Sequence, residues 1–405
     1  MHVLYFHQYF QTPKGISGTR SYSMAQALIK AGYSVTMVCS NLANGNTGLD
    51  KPFINNRRRG MVDNIDVIEF NLKYSNHLNY IKRTIVFIKY VLFSINVILR
   101  EPFDIVFATS TPLTIGIPGI FARWFKRKKF IFEVRDLWPE MPRAMGVIKN
   151  PLILVPMTIL EWLSYHSANR LIALSPGIKK GIIQRGINEE KIDVISNGFD
   201  FSVFSENFLP SKPDGVNEDD FLAIFAGAHG VANGLDSVLD AALILKKKKK
   251  KNIKIILIGD GKLKFRLKKR AKLQKLDNIL FLDPVPKTQL INILKSADIG
   301  LQILDNIPSF YFGTSPNKFF DYLASGLPIL NNYPGWLADL IKKYDCGYLV
   351  NPHNPEEFAD KLIYASENSA EIKRMGFNSK KLAQKEFDMK LLGKKFVKCF
   401  EEVND

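Results

Sequence analysis

At 405 residues the chain is too long for one hydrophobic core, and two α/β domains of similar size are expected. A hydrophobic fraction of 46% with 23% charged residues excludes a disordered chain. Three scattered cysteines, Cys39, Cys346 and Cys399, suggest neither a disulfide framework nor a metal site and fit a reducing cytoplasm.

The formal charge of +17, weighted toward the N-terminal half, requires an anionic partner or a general lysine bias. The unbroken run Lys246 to Lys251 supports the bias. Nucleic acid is not the expected partner, because no zinc-finger spacing, RNA-binding aromatic signature or basic-leucine pattern accompanies the charge.

Along the chain, MHVLYFHQYF reads as a first β-strand, without the basic leader or cleavage site of a signal peptide. The loop PKGISGTR, the amphipathic run SYSMAQALIKAG and the strand YSVTMVCS complete a βαβ unit, with Gly32 closing the helix. Thr84–Leu99 is strongly apolar but short of the roughly 20 residues of a membrane span, and Lys89 lies inside it. It reads as a core or surface-packed helix, or alternatively as an interfacial helix resting in lipid headgroups. DIVFATS, KFIFEV and RLIALS are short apolar strands of a buried parallel sheet.

Residues 197–220, rich in Asn, Asp, Ser, Pro and Gly, read as an interdomain connection. The pattern then restarts with FLAIFAGA, GLDSVLDAALIL, IKIILIGDG, a helix from Lys262 to Lys275, NILFLDPV, a helix from Lys287 to Ala297 and IGLQIL. The division expected is 1–200, 201–377 and a final helical segment 378–405, its helix running from about Asn378 to Glu402 and returning to the first domain.

Ligands of open α/β sheets bind where strands end and helices begin. In the first domain, the loop holding Gly15, Gly18 and Arg20 suits close approach of an anion to backbone, or is a plain glycine loop. In the second, Ser315 is the expected N-cap, and Pro316 and Asn317 the first turn, of a helix whose positive end faces a diphosphate. Lys318 places a full positive charge in that turn, against the local rule. Asp321, one turn on, suits ribose hydroxyls. Glu133 and Glu140 are acid/base candidates or ordinary loop carboxylates. Trp138 is packing or a sugar platform.

The segment Ser315 to Pro328 resembles the donor-site signature of the retaining glycosyltransferases of family 4. Asp321 matches its second acidic residue, and Ala324, Gly326 and Pro328 match the small-residue stretch that ends it. His7-Gln8-Tyr9-Phe10 with Gly15 and Gly18, Ser196-Asn197-Gly198-Phe199-Asp200, Phe225-Ala226-Gly227 and Ile258-Gly259-Asp260-Gly261 resemble further family segments in the same order. Phe132 to Glu140 is similar to a run in the branch of bacterial N-acetyl-L-fucosamine transferases of O-antigen and capsule assembly.

The resemblance implies the GT-B fold: α/β, with two Rossmann-like doubly wound domains facing a central cleft. It implies donor binding by the C-terminal domain and acceptor binding by the N-terminal one. It implies transfer with retention from a nucleotide diphosphate sugar, UDP-linked, with no cofactor and no metal; the chain contains no Asp-x-Asp motif. The acceptor implied is a lipid-linked saccharide, and the location the cytoplasmic face of an anionic membrane. Asp136 matches the acid of the family's His-Asp pair, while Arg135 replaces its histidine. Gly313 replaces the first acidic residue of the donor signature. Gly227 aligns with the family's phosphate loop, whose Arg and Lys fall here on Ala228 and Asn233. Lys318, His229 and Arg20 are therefore the expected phosphate partners, and Val285 the backbone contact to the nucleobase. A GT-B sugar-nucleotide epimerase is the enzymatic alternative, and a basic nucleic-acid-binding protein the non-enzymatic one.

Overall fold

A computed structural model describes the chain except residues 16–17, 43–44, 76–77, 147, 202–208 and 405, and the side chain of 404. It divides into two compact units. The first is Met1–Asn197 with Gly313–Ser315 and Met389–Asp405; the second is Gly198–Phe312 with Pro316–Asp388.

The apolar runs of the first unit form β1 (His2–Phe6), β2 (Ser34–Leu42), β3 (Arg57–Val62), β4 (Ile65–Tyr74), β5 (Ile105–Thr109), β6 (Lys129–Val134), β7 (Arg170–Ala173) and β8 (Ile192–Val194). The sheet order is β3-β4-β2-β1-β5-β6-β7-β8. Every pairing is parallel except β3–β4, a hairpin closed by Asp63 and Asn64, both at positive φ. β3 opens with three consecutive arginines, Arg57 to Arg59. In the fold Arg58 pairs with Glu69, and Arg59 with Asp66 and Glu101.

Alternation along β1 feeds two cores. Leu4 and Phe6 join one, with Val106, Phe132 and Ile178; Val3 and Tyr5 join the other, with Phe107, Phe396 and Phe400. The second core explains why the C-terminal helix belongs to this unit: Phe396 packs edge-on and Phe400 tilted against Phe107, at centroid distances of 5.0 and 5.7 Å. The C-terminal segment is two helices, Ser369–Glu386 and Met389–Asn404, broken at Phe387-Asp388, where Phe199 N–H donates to the Phe387 carbonyl at 2.9 Å. The continuous helix expected from Asn378 to Glu402 is not formed.

The second unit contains β9 (Phe221–Ala226), β10 (Ile253–Ile258), β11 (Ile279–Leu282), β12 (Ile299–Gln302), β13 (Ile329–Asn331) and β14 (Gly347–Leu349). All are parallel, in the order β11-β10-β9-β12-β13-β14, the doubly wound dinucleotide-binding arrangement. β9 and β10 are buried almost throughout, as continuous apolar runs require when helices cover both faces.

Candidate active site

In the second unit the strand order reverses between β9 and β12, the crevice where ligands bind in such sheets. Two loops meet there. Gly259, after β10, has φ 147°, and a Cβ on it would lie 1.8 Å from the Gly227 carbonyl oxygen after β9. Only glycine lets these backbones touch. Gly234 closes the short turn Val231–Asn233 in the left-handed conformation, with Asp305 backbone where a side chain would go.

His229 is held by its backbone: its N–H donates to the Asp260 carbonyl (2.9 Å), and its carbonyl accepts from Leu263 N–H (3.0 Å). Its ring is fully buried near Phe225 and Phe281, and both ring nitrogens lack a partner. Burial first, then neighbouring Lys264, lowers its pKa to about 4, against the opposing pull of Asp260. The ring is thus neutral at pH 7. It offers one donor and one acceptor, and not the phosphate-compensating charge expected of it.

Lys318 lies on the helix Asn317–Ala324, which starts after an N-cap at Pro316, one residue later than the sequence suggests. The expected cap, Ser315, is engaged elsewhere: its hydroxyl accepts from Asn197 N–H (3.1 Å), and its carbonyl from Asn197 Nδ2 (2.5 Å). Lys318 is 8% exposed. Its Nζ lies 4.1 Å from the Phe225 ring centroid and donates to Asn233 Oδ1 at 2.9 Å. Asn233 Nδ2 donates to the Ala228 carbonyl at 2.8 Å, turning the amide oxygen toward the lysine. Among the described residues no carboxylate pairs with Lys318, and burial lowers its pKa to about 7. A nearly buried cation held by a neutral amide and a ring face has charge that these partners leave uncompensated.

Asp321, buried one turn on, pairs with Lys287. Lys264 ties the β10 and β11 ends by donating to the Gly259 carbonyl (2.7 Å), the Leu282 carbonyl (3.0 Å) and Asp283 (2.6 Å). Val285 is half-buried in the loop after β11. The fold thus gathers Gly227, His229 and Lys318, with Asn317 and Asp321 on the same helix as the lysine. Sequence reading missed Asn233, Lys264 and Lys287. Asn233 registered only as a missing cation, and the lysines were lost in a lysine-rich background.

The first unit has its own reversal, between β1 and β5. His7, Ser110, Thr111, Arg135 and Asp136 follow β1, β5 and β6 there. Asp136 accepts from Thr111 Oγ1 at 3.1 Å, and burial raises its pKa while Arg135 opposes. Arg135 N–H donates to Ser110 Oγ (3.0 Å), and its Nη1 lies 3.4 Å from His7 Nε2. His7 is buried with Nδ1 unpartnered; burial, then Arg135, holds its pKa well below the ordinary histidine value. A histidine therefore stands beside position 135 in space.

Arg20 takes a different role from the one expected. It is buried, donates twice to Glu133 (3.0 and 2.8 Å), and donates to the carbonyls of Ser196 (2.5 Å) and Ile195 (2.8 Å). It ties the β6 and β8 ends together and has little left for a phosphate. The same pairing withdraws Glu133 as an acid/base candidate, and exposed Glu140 bridges to Arg185. Gly15 packs against the Gln11 side chain, Gly18 is half-buried, and Ile16 and Ser17 between them lie outside the described residues.

Two doubly wound α/β units, one with a nearly buried lysine at its switch point, define a protein of the GT-B fold. Sucrose-phosphate synthase of Thermosynechococcus elongatus matches with a TM-score of 0.75 at 14% identity, over 99% of this chain and 98% of its own. HepE of Anabaena, solved in complex with UDP-glucose, matches at 0.67 and 15% identity, over 99% and 100%. WaaG, a glycosyltransferase involved in lipopolysaccharide biosynthesis, matches at 0.69 and 15% identity, over 97% and 98%.

In sequence, residues 17–203 match the family described as Glycosyltransferase Family 4, and residues 210–382 that described as Glycosyl transferases group 1. An uncharacterized glycosyltransferase of Methanocaldococcus jannaschii is 25% identical over 304 residues, 74% of this chain and 76% of the relative. A D-inositol 3-phosphate glycosyltransferase of Paenarthrobacter aurescens is 28% identical over 204 residues, 48% of each chain. The chain is a glycosyltransferase, its first half similar to the one family and its second half to the other.

Proposed function

We propose that the enzyme transfers a sugar, an N-acetylated deoxyhexosamine, from UDP to a lipid-linked saccharide in bacterial surface polysaccharide synthesis of the O-antigen or capsule kind. The observation that carries the nucleotide-sugar reading is Lys318: a nearly buried cation at the β9/β12 crossing, without a carboxylate partner among the described residues. HepE, of the same fold, was solved with UDP-glucose in place, which supports a uridine donor. WaaG's involvement in lipopolysaccharide biosynthesis supports a surface-glycan acceptor.

In this reading the diphosphate lies over the N-terminal turn of Asn317–Ala324, where helix dipole and Lys318 act together. Negative charge grows on the β-phosphate as the glycosidic bond breaks, and a cation already desolvated beside it stabilises that charge without reorganisation. Transfer retains the anomeric configuration and uses no metal ion. Asp321 and Lys287 receive the ribose, and Val285 backbone the base. Asp136, with Arg135 and His7, serves the acceptor side from the first unit. The enzyme works from the inner face of the membrane, attached peripherally.

The test is a panel of nucleoside diphosphates and their sugars, read by ligand-induced shift in melting temperature. UDP and a UDP-linked acetamido sugar should stabilise the enzyme, and ADP and GDP should not. No stabilisation by any of them removes the reading.

A further inference from the structure

The outer surface of the first unit has the wrong polarity for water. The helix Pro151–Ser167 buries Glu161, Ser164, Tyr165 and Ser167, and turns its apolar side chains outward. Leu152 is 82% exposed, and Val155, Ile159 and Trp162 follow at helical spacing, each half exposed or more. A helix packed on a soluble core shows the reverse pattern.

A second helix repeats the feature. Tyr80–Arg100 buries Tyr90, Val91, Ser94, Val97 and Ile98 against the core. Its opposite stripe, Ile81, Ile85, Ile88, Leu92 and Leu99, is exposed. The helix Gly116–Phe125 packs against both and ends in Trp124 and Phe125, 67% and 74% exposed. Scattered exposed apolar residues need no explanation; stripes on two helices joined through a third form a surface that binds something.

The charges around these stripes indicate what. Lys82, Arg83, Lys89 and Arg100 lie on one helix, and Arg123 and the run Lys126 to Lys129 on and after the next. The only carboxylate on the three helices is Glu161, buried and paired with Arg185. An open cavity of about 530 Å³ at the start of Pro151–Ser167 is lined by Arg143 and Lys149 beside Leu154 and Val155. Cations bordering apolar side chains match the boundary between anionic headgroups and acyl chains.

We infer that this three-helix face docks on an anionic lipid surface: Leu152, Ile159, Trp162, Trp124 and Phe125 enter the acyl boundary, and the flanking lysines and arginines meet lipid phosphates. No helix among the described residues is long and apolar enough to cross a membrane, so the contact is shallow. The inference deepens the membrane attachment proposed above by naming the surface; the arginines of β3 are no part of it, since Arg58 and Arg59 are paired within the fold.

The experiment uses the full chain with vesicles of phosphatidylcholine alone or mixed with phosphatidylglycerol. Sedimentation should show binding to the mixed vesicles, with a blue shift of tryptophan emission that W124F/W162F removes. L152S/I159S should weaken partitioning about tenfold and persist in doing so at high salt. K126Q/R127Q/K128Q should weaken it at low salt only. All variants should keep wild-type UDP affinity, so a failure here is separable from a failure of the donor site. Absence of vesicle binding, equal binding by L152S/I159S, or wild-type self-association that L152S/I159S abolishes without vesicles present, would overturn the inference.

Discussion

The strand crossings of the two units differ in electrostatics. At the β1/β5 crossing, Arg135 and Asp136 are adjacent and oppositely charged, and His7 beside them is held neutral by burial and the guanidinium. At the β9/β12 crossing, Lys318 pairs with no carboxylate among the described residues, and His229 is neutral. A buried lone charge costs stability, and a protein keeps it where a ligand brings the counter-charge. A near-neutral group of acid, base and guanidinium gains nothing from an anion but can hold or move a proton. In the function proposed above, that contrast assigns the diphosphate to the second crossing and the attacking hydroxyl to the first.

The comparison breaks most visibly at Asp136. D136N should lower turnover by about 100-fold or more, while UDP affinity stays within about twofold, as steady-state kinetics and calorimetry would show. A variant that loses its fold instead would make Asp136 a structural partner of Arg135. K318A should do the opposite and weaken UDP binding by about 10- to 100-fold, the size of a lost charge-assisted contact. Equal UDP affinity in K318A and wild type would put the diphosphate elsewhere.

The lone lysine also predicts a pH dependence of definite sign. Its folded pKa is lowered to about 7 from an ordinary 10.5. Below pH 7 it is charged in both folded and unfolded chains, and its burial costs stability. Between pH 7 and 10.5 the folded form sheds the proton first, so stability recovers as pH rises. K318M should therefore raise the melting temperature of the free enzyme by a few degrees at pH 6 and by less at pH 9. A bound diphosphate restores the charge, so UDP binding above pH 7 should take up a proton and weaken as pH rises. Calorimetry in buffers of differing ionisation enthalpy measures that uptake.

Much of the fold was legible because buried parallel strands write themselves as short apolar runs: Phe221–Ala226 and Ile253–Ile258 are apolar almost throughout. The hairpin of β3 and β4 was not, because Arg57-Arg58-Arg59 looks like surface charge until Glu69, Asp66 and Glu101 are placed beside it. The unusual setting of Lys318 was signalled by one broken rule, a cation in a helix's first turn. Arg20 misled for the complementary reason: it begins a helix after a glycine loop, yet its partner Glu133 is more than a hundred residues away. His7 was quoted only as part of a strand end, since nothing in one dimension brings it to Arg135. The outward apolar stripe of Pro151–Ser167 was invisible because an apolar run does not say which of its faces is covered.

The smallest expected effect lies at Asp321. Its carboxylate is buried and paired with Lys287, so its charge, unlike that of Lys318, is already met within the fold. A ribose hydroxyl approaching the pair gains one hydrogen bond to a compensated carboxylate, worth about 1 kcal/mol. D321A should accordingly weaken UDP by about fivefold, less than K318A, and D321N, which keeps an acceptor, by less still. The decisive comparison uses a ligand lacking a hydroxyl. If Asp321 accepts from the ribose, the deoxy form of UDP lacking that hydroxyl should bind wild type and D321A with nearly equal affinity, while UDP itself distinguishes them. If D321A weakens both ligands alike, Asp321 serves only to hold Lys287 and the helix Asn317–Ala324 in place, and the second unit recognises its nucleotide through Lys318 and the loops after β9 and β11.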